Sequence, residues 1–136
     1  MKRIASFALL VLVGFIPVVG GNFYKNIKVS QAEQIIREHE GKSDLVILDV
    51  RTSGEFVDGH IQGAINIDFW SKGFTGSIAL LDKQKIYLVY CTSGVRSGGA
   101  MKKMRKAGFG RIYNMTGGMI GWRAAKKPLV KSDKNK

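Results

Sequence analysis

The chain has one cysteine and two histidines in 136 residues. A single cysteine, Cys91, excludes an internal disulfide, a C-x-x-C redox pair and any multi-cysteine zinc site. Two histidines, His39 and His60, argue against a histidine-based metal centre, so neither a metal nor a cofactor is expected. Acidic side chains are scarce as well, 10 against 22 Lys and Arg, for a net charge of +12. A small protein this basic has the balance of a nucleic-acid binder. The length leaves room for one domain, and 45% hydrophobic with 24% charged residues is a globular composition rather than a disordered or fibrous one.

The charge is uneven. Met1 to Asp82 carries 8 basic and 9 acidic residues, whereas Lys83 to Lys136 carries 14 basic residues and only Asp133 against them. The cationic half includes Lys102, Lys103, Arg105, Lys106 and Arg111, then a lysine-rich tail.

Charge is also missing from the start of the chain. After Met1-Lys2-Arg3, thirteen of the sixteen residues Ile4 to Val19 are apolar, and the uncharged run continues to Tyr24. A basic start, an apolar run, Pro17 and the small pair Gly20-Gly21 have the layout of a secretory signal. The 21-residue run also suffices for an uncleaved membrane anchor. The expected organisation is therefore 1–21 as leader or anchor, 22–130 as the domain and 131–136 as a basic tail. The domain then works outside the cytoplasm, in a periplasmic or similar compartment, with membrane association through the N-terminal segment if it is retained.

Along the domain, strand and helix signals alternate. Ile27-Lys28-Val29 reads as a short strand. Ser30 to Glu33 has the spacing of a capping box opening a helix that ends near Gly41. Leu45 to Leu48 is a continuous apolar run, as in a strand buried on both faces. Thr52 to Glu55 is a second capping box, its helix closed by Gly59. Ala64 to Ile67 and Ile86 to Tyr90 read as strands, Ser97 to Ala107 as a helix stopped by Gly108, Ile112 to Met115 as a last strand and Met119 to Ala125 as a last helix. The alternation implies an α/β fold with a mainly parallel sheet. After Pro128 the chain is expected to fray.

The informative stretch is Tyr90-Cys91-Thr92-Ser93-Gly94-Val95-Arg96-Ser97. The lone cysteine follows the strongest strand signal and precedes small or polar residues, a glycine, an arginine and a helix start. Open α/β sheets place ligands in such strand-to-helix loops. Inward backbone N–H groups and the positive end of a helix bind anions and lower a thiol pKa. Cys91 thus reads as a nucleophile activated without a histidine base, rather than as a small buried hydrophobe.

Leu48-Asp49-Val50-Arg51, with Glu55, Phe56, Gly59-His60-Ile61 and Gly63-Ala64-Ile65-Asn66-Ile67, resembles the N-terminal rhodanese signature. The Cys91 loop resembles that family's active-site loop, and Gly117-Gly118-x-x-x-Trp122 its closing motif. The resemblance implies a three-layer fold, a central five-stranded parallel sheet flanked by helices. It also implies a sulfurtransferase that moves a sulfane sulfur from thiosulfate or a persulfide to a thiol, a protein acceptor or cyanide, through a persulfide on Cys91. Thr92, Ser93, Gly94, Val95, Arg96 and Ser97 are the expected substrate-binding residues. Arg96 either holds the donor's anionic end or braces the loop. The four residues between Cys91 and Arg96 resemble the sulfur-transferring branch; phosphatases and arsenate reductases of this fold have five.

Supporting roles fall to Asp49 and Arg51, as an ion pair or loop-ordering residues, and to Glu55, which either braces Arg96 or completes its capping box. His60 is expected to hydrogen-bond structurally, His39 to be solvated and Trp122 to be core. Phe69, Trp70 and Phe74 either wall the pocket or pack. Two other readings stand beside the enzyme: a sulfur-delivery module for a partner protein, and an anionic-surface binder working through the basic half. An exported protein meets little nucleic acid, so the positive charge is expected to surround the thiolate and draw in anions.

Overall fold

The computed structural model describes residues 21–133. The leader expected over 1–21 therefore lies outside the described residues, Gly21 excepted, as does the end of the tail at 134–136. Five strands, β1 (Phe23–Ile27), β2 (Leu45–Asp49), β3 (Ile65–Asn66), β4 (Ile86–Tyr90) and β5 (Arg111–Met115), form one sheet in the order β1-β5-β4-β2-β3. Every pairing is parallel. Five helices, α1 (Val29–Glu38), α2 (Ser53–Asp58), α3 (Phe74–Ala79), α4 (Val95–Lys106) and α5 (Gly118–Ala124), complete the α/β fold.

Side chains that alternate along β4 divide the core. Tyr87, Val89 and Cys91 face a cluster with Phe74, Ile78, Ala100, Met104 and Phe109, under α3 and α4. Leu88 and Tyr90 face the opposite cluster with Ala32, Met119 and Trp122, under α1 and α5. The continuous apolar runs in β2 and β4 follow from this burial on both faces.

The first strand lies four residues earlier than the expected Ile27-Lys28-Val29. Phe23 and Tyr24 look like the end of the apolar run, yet they pair with Arg111 and Ile112 of β5. Lys28 and Val29 instead open α1, where the backbone N–H of Lys28 donates to Gln31 Oε1 at 2.9 Å. The Ser30 to Glu33 box does not form, because Glu33 is engaged by Arg37 and Lys127. The Thr52 box forms as expected, Glu55 N donating to Thr52 Oγ1 at 3.3 Å. Helix α3 has no sequence signal, since its N-cap is Gly73 with no capping side chain.

Helix α4 begins two residues before the expected Ser97, because Gly94 at φ 95° serves as its N-cap. His39 is half-buried at the end of α1 rather than solvated, its Nδ1 2.7 Å from the Ile35 carbonyl. The segment after Pro128 is pinned rather than frayed. His60 and Val130 exchange backbone hydrogen bonds of 2.9 and 3.0 Å, Ser132 N donates to Val57 O at 3.2 Å, and Trp122 Nε1 donates to Pro128 O at 3.0 Å.

Candidate active site

Parallel strands put all their carboxyl ends at one end of the sheet, and Cys91 follows directly from β4 there. The residue is 1% exposed. Its Sγ accepts a hydrogen bond from Gly94 N at 3.1 Å and one from Ser97 Oγ at 3.4 Å. Burial pushes the Cys91 thiol up, but the Ser97 hydroxyl and the backbone N–H groups of Ser97, Ser93 and Gly94 outweigh it, leaving the thiol below its ordinary value of 9.0. Donors converging on sulfur stabilise the thiolate relative to the thiol.

The N–H groups face inward because the carbonyls are held outward. Met119 N donates to Cys91 O at 2.8 Å, and Ile120 N to Thr92 O at 3.1 Å. These amides belong to the first turn of α5, which carries the paired glycines of the closing motif. In sequence Gly117-Gly118 stands only as part of the closing motif's resemblance, whereas the structure makes it the rear wall of the loop. Gly94 also has no room for a side chain: a Cβ would lie 2.4 Å from Thr116 O.

Arg96 reaches across the loop to α2. Its Nη1 and Nη2 donate to the two carboxylate oxygens of Glu55 at 2.8 and 3.0 Å, and Nη2 also donates to Thr92 Oγ1 at 2.8 Å. Thr92 in turn donates to Glu55 Oε2 at 2.8 Å. The guanidinium is therefore a brace tying α2 to the loop, and Glu55 both caps α2 and receives Arg96. Arg96, against the opposition of burial, and then Thr92 and Thr52 hold the Glu55 carboxyl down at about 2.

The remaining supporting residues set the position of α2. The Arg51 guanidinium forms a buried pair with Asp49, Nη2 to Oδ2 at 2.7 Å, and donates to Gly59 O at 2.6 Å. Removing one partner from such a pair strands a buried charge. Asn66 Nδ2 bonds the Asp49 and Arg51 carbonyls at 3.0 and 2.9 Å, a contribution with no sequence signal. His60 stacks on Phe56 at 3.7 Å, with Nδ1 2.8 Å from the Phe56 carbonyl. Phe74 is core, Phe69 packs on Gly99, and Trp70 is exposed. Ser93 and Val95 stand at the loop's surface, on the wall of a groove of about 440 Å³ that also meets Asn114 and Lys102. Among the described residues no group of three or more His, Cys, Asp or Glu is placed to hold a metal ion.

Two expectations follow. Ser97→Ala removes one donor to sulfur, so the thiol pKa rises and alkylation by iodoacetamide at neutral pH slows by roughly threefold to tenfold; a rate-against-pH profile of the two proteins checks this. Glu55→Gln tests the brace. A carboxyl held near 2 in the fold and near 4.5 otherwise contributes stability that is fully present above 4.5 and lost as pH falls toward 2. The gap in stability between the native chain and Glu55→Gln, on the order of 1 kcal/mol after solvent screening, thus closes over that acid window, as urea titrations at several pH values measure.

A family model described as a rhodanese-like domain matches residues 31–125. A thiosulfate sulfurtransferase, GlpE, from Coxiella burnetii is 30% identical over 112 residues, covering 82% of this chain and 98% of the relative. The uncharacterized protein YqhL of Bacillus subtilis is 33% identical over 118 residues, covering 87% and 86%. Among solved structures, a rhodanese-related protein from Thermoplasma volcanium superposes with a TM-score of 0.69 at 27% identity, covering 80% of this chain and all of that one.

Proposed function

This chain belongs to the rhodanese-like domain family, and we propose that it is a sulfurtransferase working through a persulfide on Cys91. The observation that carries the reading is the Sγ of Cys91 at the focus of the loop, with Gly94 N–H and the Ser97 hydroxyl on it. The Cys91 thiolate attacks the outer sulfur of a donor. With thiosulfate, the donor named for the Coxiella relative, the S–S bond breaks, sulfite leaves with the bonding pair, and the enzyme keeps Cys–S–S⁻. An acceptor thiolate or cyanide then attacks the terminal sulfur and frees the Cys91 thiolate. The same inward N–H groups that stabilise the thiolate stabilise the persulfide anion. No proton transfer is required, consistent with the absence of a histidine beside the sulfur, His60 being committed to Phe56. Ser93, Gly94, Val95 and Ser97 contact the donor or the transferred sulfur, while Thr92 and Arg96 hold the loop's shape with Glu55.

The basic start and apolar run of residues 1–21 support export, with the domain facing an extracytoplasmic compartment and membrane-associated if the run is retained. The test of function is thiocyanate formation from thiosulfate and cyanide, with the intact mass measured after donor treatment. Turnover with one added sulfur atom supports the enzyme. The added sulfur without turnover supports delivery to a partner protein. No added sulfur from any donor overturns both.

A further inference from the structure

Only part of the basic half stays by the thiolate, Arg96 bonded to Glu55 and Thr92, and Lys102 on the loop's groove. Helix α4 starts at the loop and runs back antiparallel to the strands, so its last turn, with Arg105 and Lys106, sits at the opposite end of the sheet. There Arg105 lies 4.6 Å over the Tyr24 ring and Lys83 lies 6.0 Å over the Phe109 ring. Tyr24 Oη donates to Phe109 O at 2.7 Å, and Arg111, next to Phe109 and Gly110, donates to the Gln84 carbonyl. Lys106 shares a groove with Ile78 of α3, and two residues beyond Ile78 stands Leu80, 89% exposed. Two acidic residues stand at this end: Asp82, its carboxylate receiving Gln84 N, and Asp44, its carbonyl receiving Ile86 N at 2.8 Å and its carboxylate beside His39. Phe23 N bonds Gly110 O here at 2.8 Å, so the uncharged run Ile4 to Tyr24 joins the domain at this same end.

We propose that this end, which carries exposed Leu80 together with Lys83, Arg105, Lys106 and Arg111, seats on an anionic lipid surface and holds the Cys91 loop pointing away from it. An exposed leucine amid cations matches the depth profile of a bilayer interface, apolar tip inward and charges at the headgroups. The five-residue strands set the loop about 16 Å beyond the seated face. Donor and acceptor then reach the sulfur from the aqueous side. The seat stands on the folded patch; it rests on the leader reading only for how the chain is also held by its N-terminal run.

The full chain is mixed with vesicles of phosphatidylcholine alone or with phosphatidylglycerol added, carrying an environment-sensitive fluorophore attached through Leu80→Cys in a Cys91→Ser background. The Leu80 label is expected to shift to the blue only in the anionic vesicles, and to revert in high salt. Each of K83Q, R105Q, K106Q and R111Q weakens the shift's lipid dependence by about fivefold. A label through Val95→Cys stays water-exposed throughout. Co-flotation with neutral vesicles without a Leu80 shift in anionic ones overturns the seat while leaving the leader reading intact. A Leu80 shift in anionic vesicles without flotation on neutral ones supports the seat and removes the anchor. A shift at Val95, or a larger Leu80 response to duplex DNA than to anionic vesicles, overturns the proposal.

Discussion

Cys91→Ser is expected to abolish sulfur transfer, lowering thiocyanate formation by at least ~10⁴-fold, the scale of losing a covalent nucleophile. Hydroxyl and thiol differ little in volume, and the Gly94 N–H and Ser97 hydroxyl that meet Sγ bond an oxygen as well. The variant should therefore fold, with a stability change of about 1 kcal/mol. What it loses is chemical. A serine hydroxyl stays protonated in the loop across the pH range in which the Cys91 thiol, already below its ordinary value, ionises. It also forms no sulfur–sulfur bond, so no intermediate accumulates. Matched circular dichroism spectra with no added sulfur mass and no turnover is the expected result. Residual transfer above background would assign the nucleophile elsewhere.

The second large effect is expected at Gly118, which touches no substrate. Its φ is 57°, and a Cβ there would lie 2.4 Å from Thr92 O and 2.7 Å from Cys91 O. Those two carbonyls accept from Ile120 N and Met119 N, the bonds that keep the loop's N–H groups turned toward sulfur. Gly118→Ala forces either the loop or α5 to shift. Left-handed strain and the overpacked contact each cost about 1–3 kcal/mol. The displaced loop loses thiolate stabilisation, so iodoacetamide alkylation at neutral pH slows and sulfur transfer falls more steeply than stability does. Gly117→Ala is the comparison: a Cβ there meets Val29 Cγ2 at 3.1 Å and no loop carbonyl. A Gly118→Ala protein with native alkylation kinetics would separate the closing glycine from the site.

The elements most legible in the chain were those whose signal is local. Ile86 to Tyr90 is apolar at every position because both faces of β4 are covered, and it was bounded correctly. The Thr52 box caps α2 through contacts three residues apart. Signals that depend on a distant partner were misread. Phe23 and Tyr24 give no strand signal at the end of the uncharged run until β5 supplies their register, and α3 is specified by the burial of Phe74 and Ile78 rather than by a cap. The tail past Pro128 is held by the backbone of Val57 and His60, about seventy residues away in sequence, which no reading of its lysines reveals.

For the site, the sequence alone determined the chemical type: one cysteine, after a buried strand, before a glycine and a helix start, is a thiol where amides converge. Residue identity and neighbours a few positions apart suffice for that. Tertiary structure decided how the loop is held and where the charge lies. Arg96 stands free in sequence, but α2 brings Glu55, 41 residues earlier, against both of its terminal nitrogens. The cations from Lys83 onward seem in sequence to crowd the thiolate. Helix α4 keeps Lys102 on the loop's groove but runs back along the sheet and carries Arg105 and Lys106 to the far end, because direction in space is set by packing rather than by order along the chain.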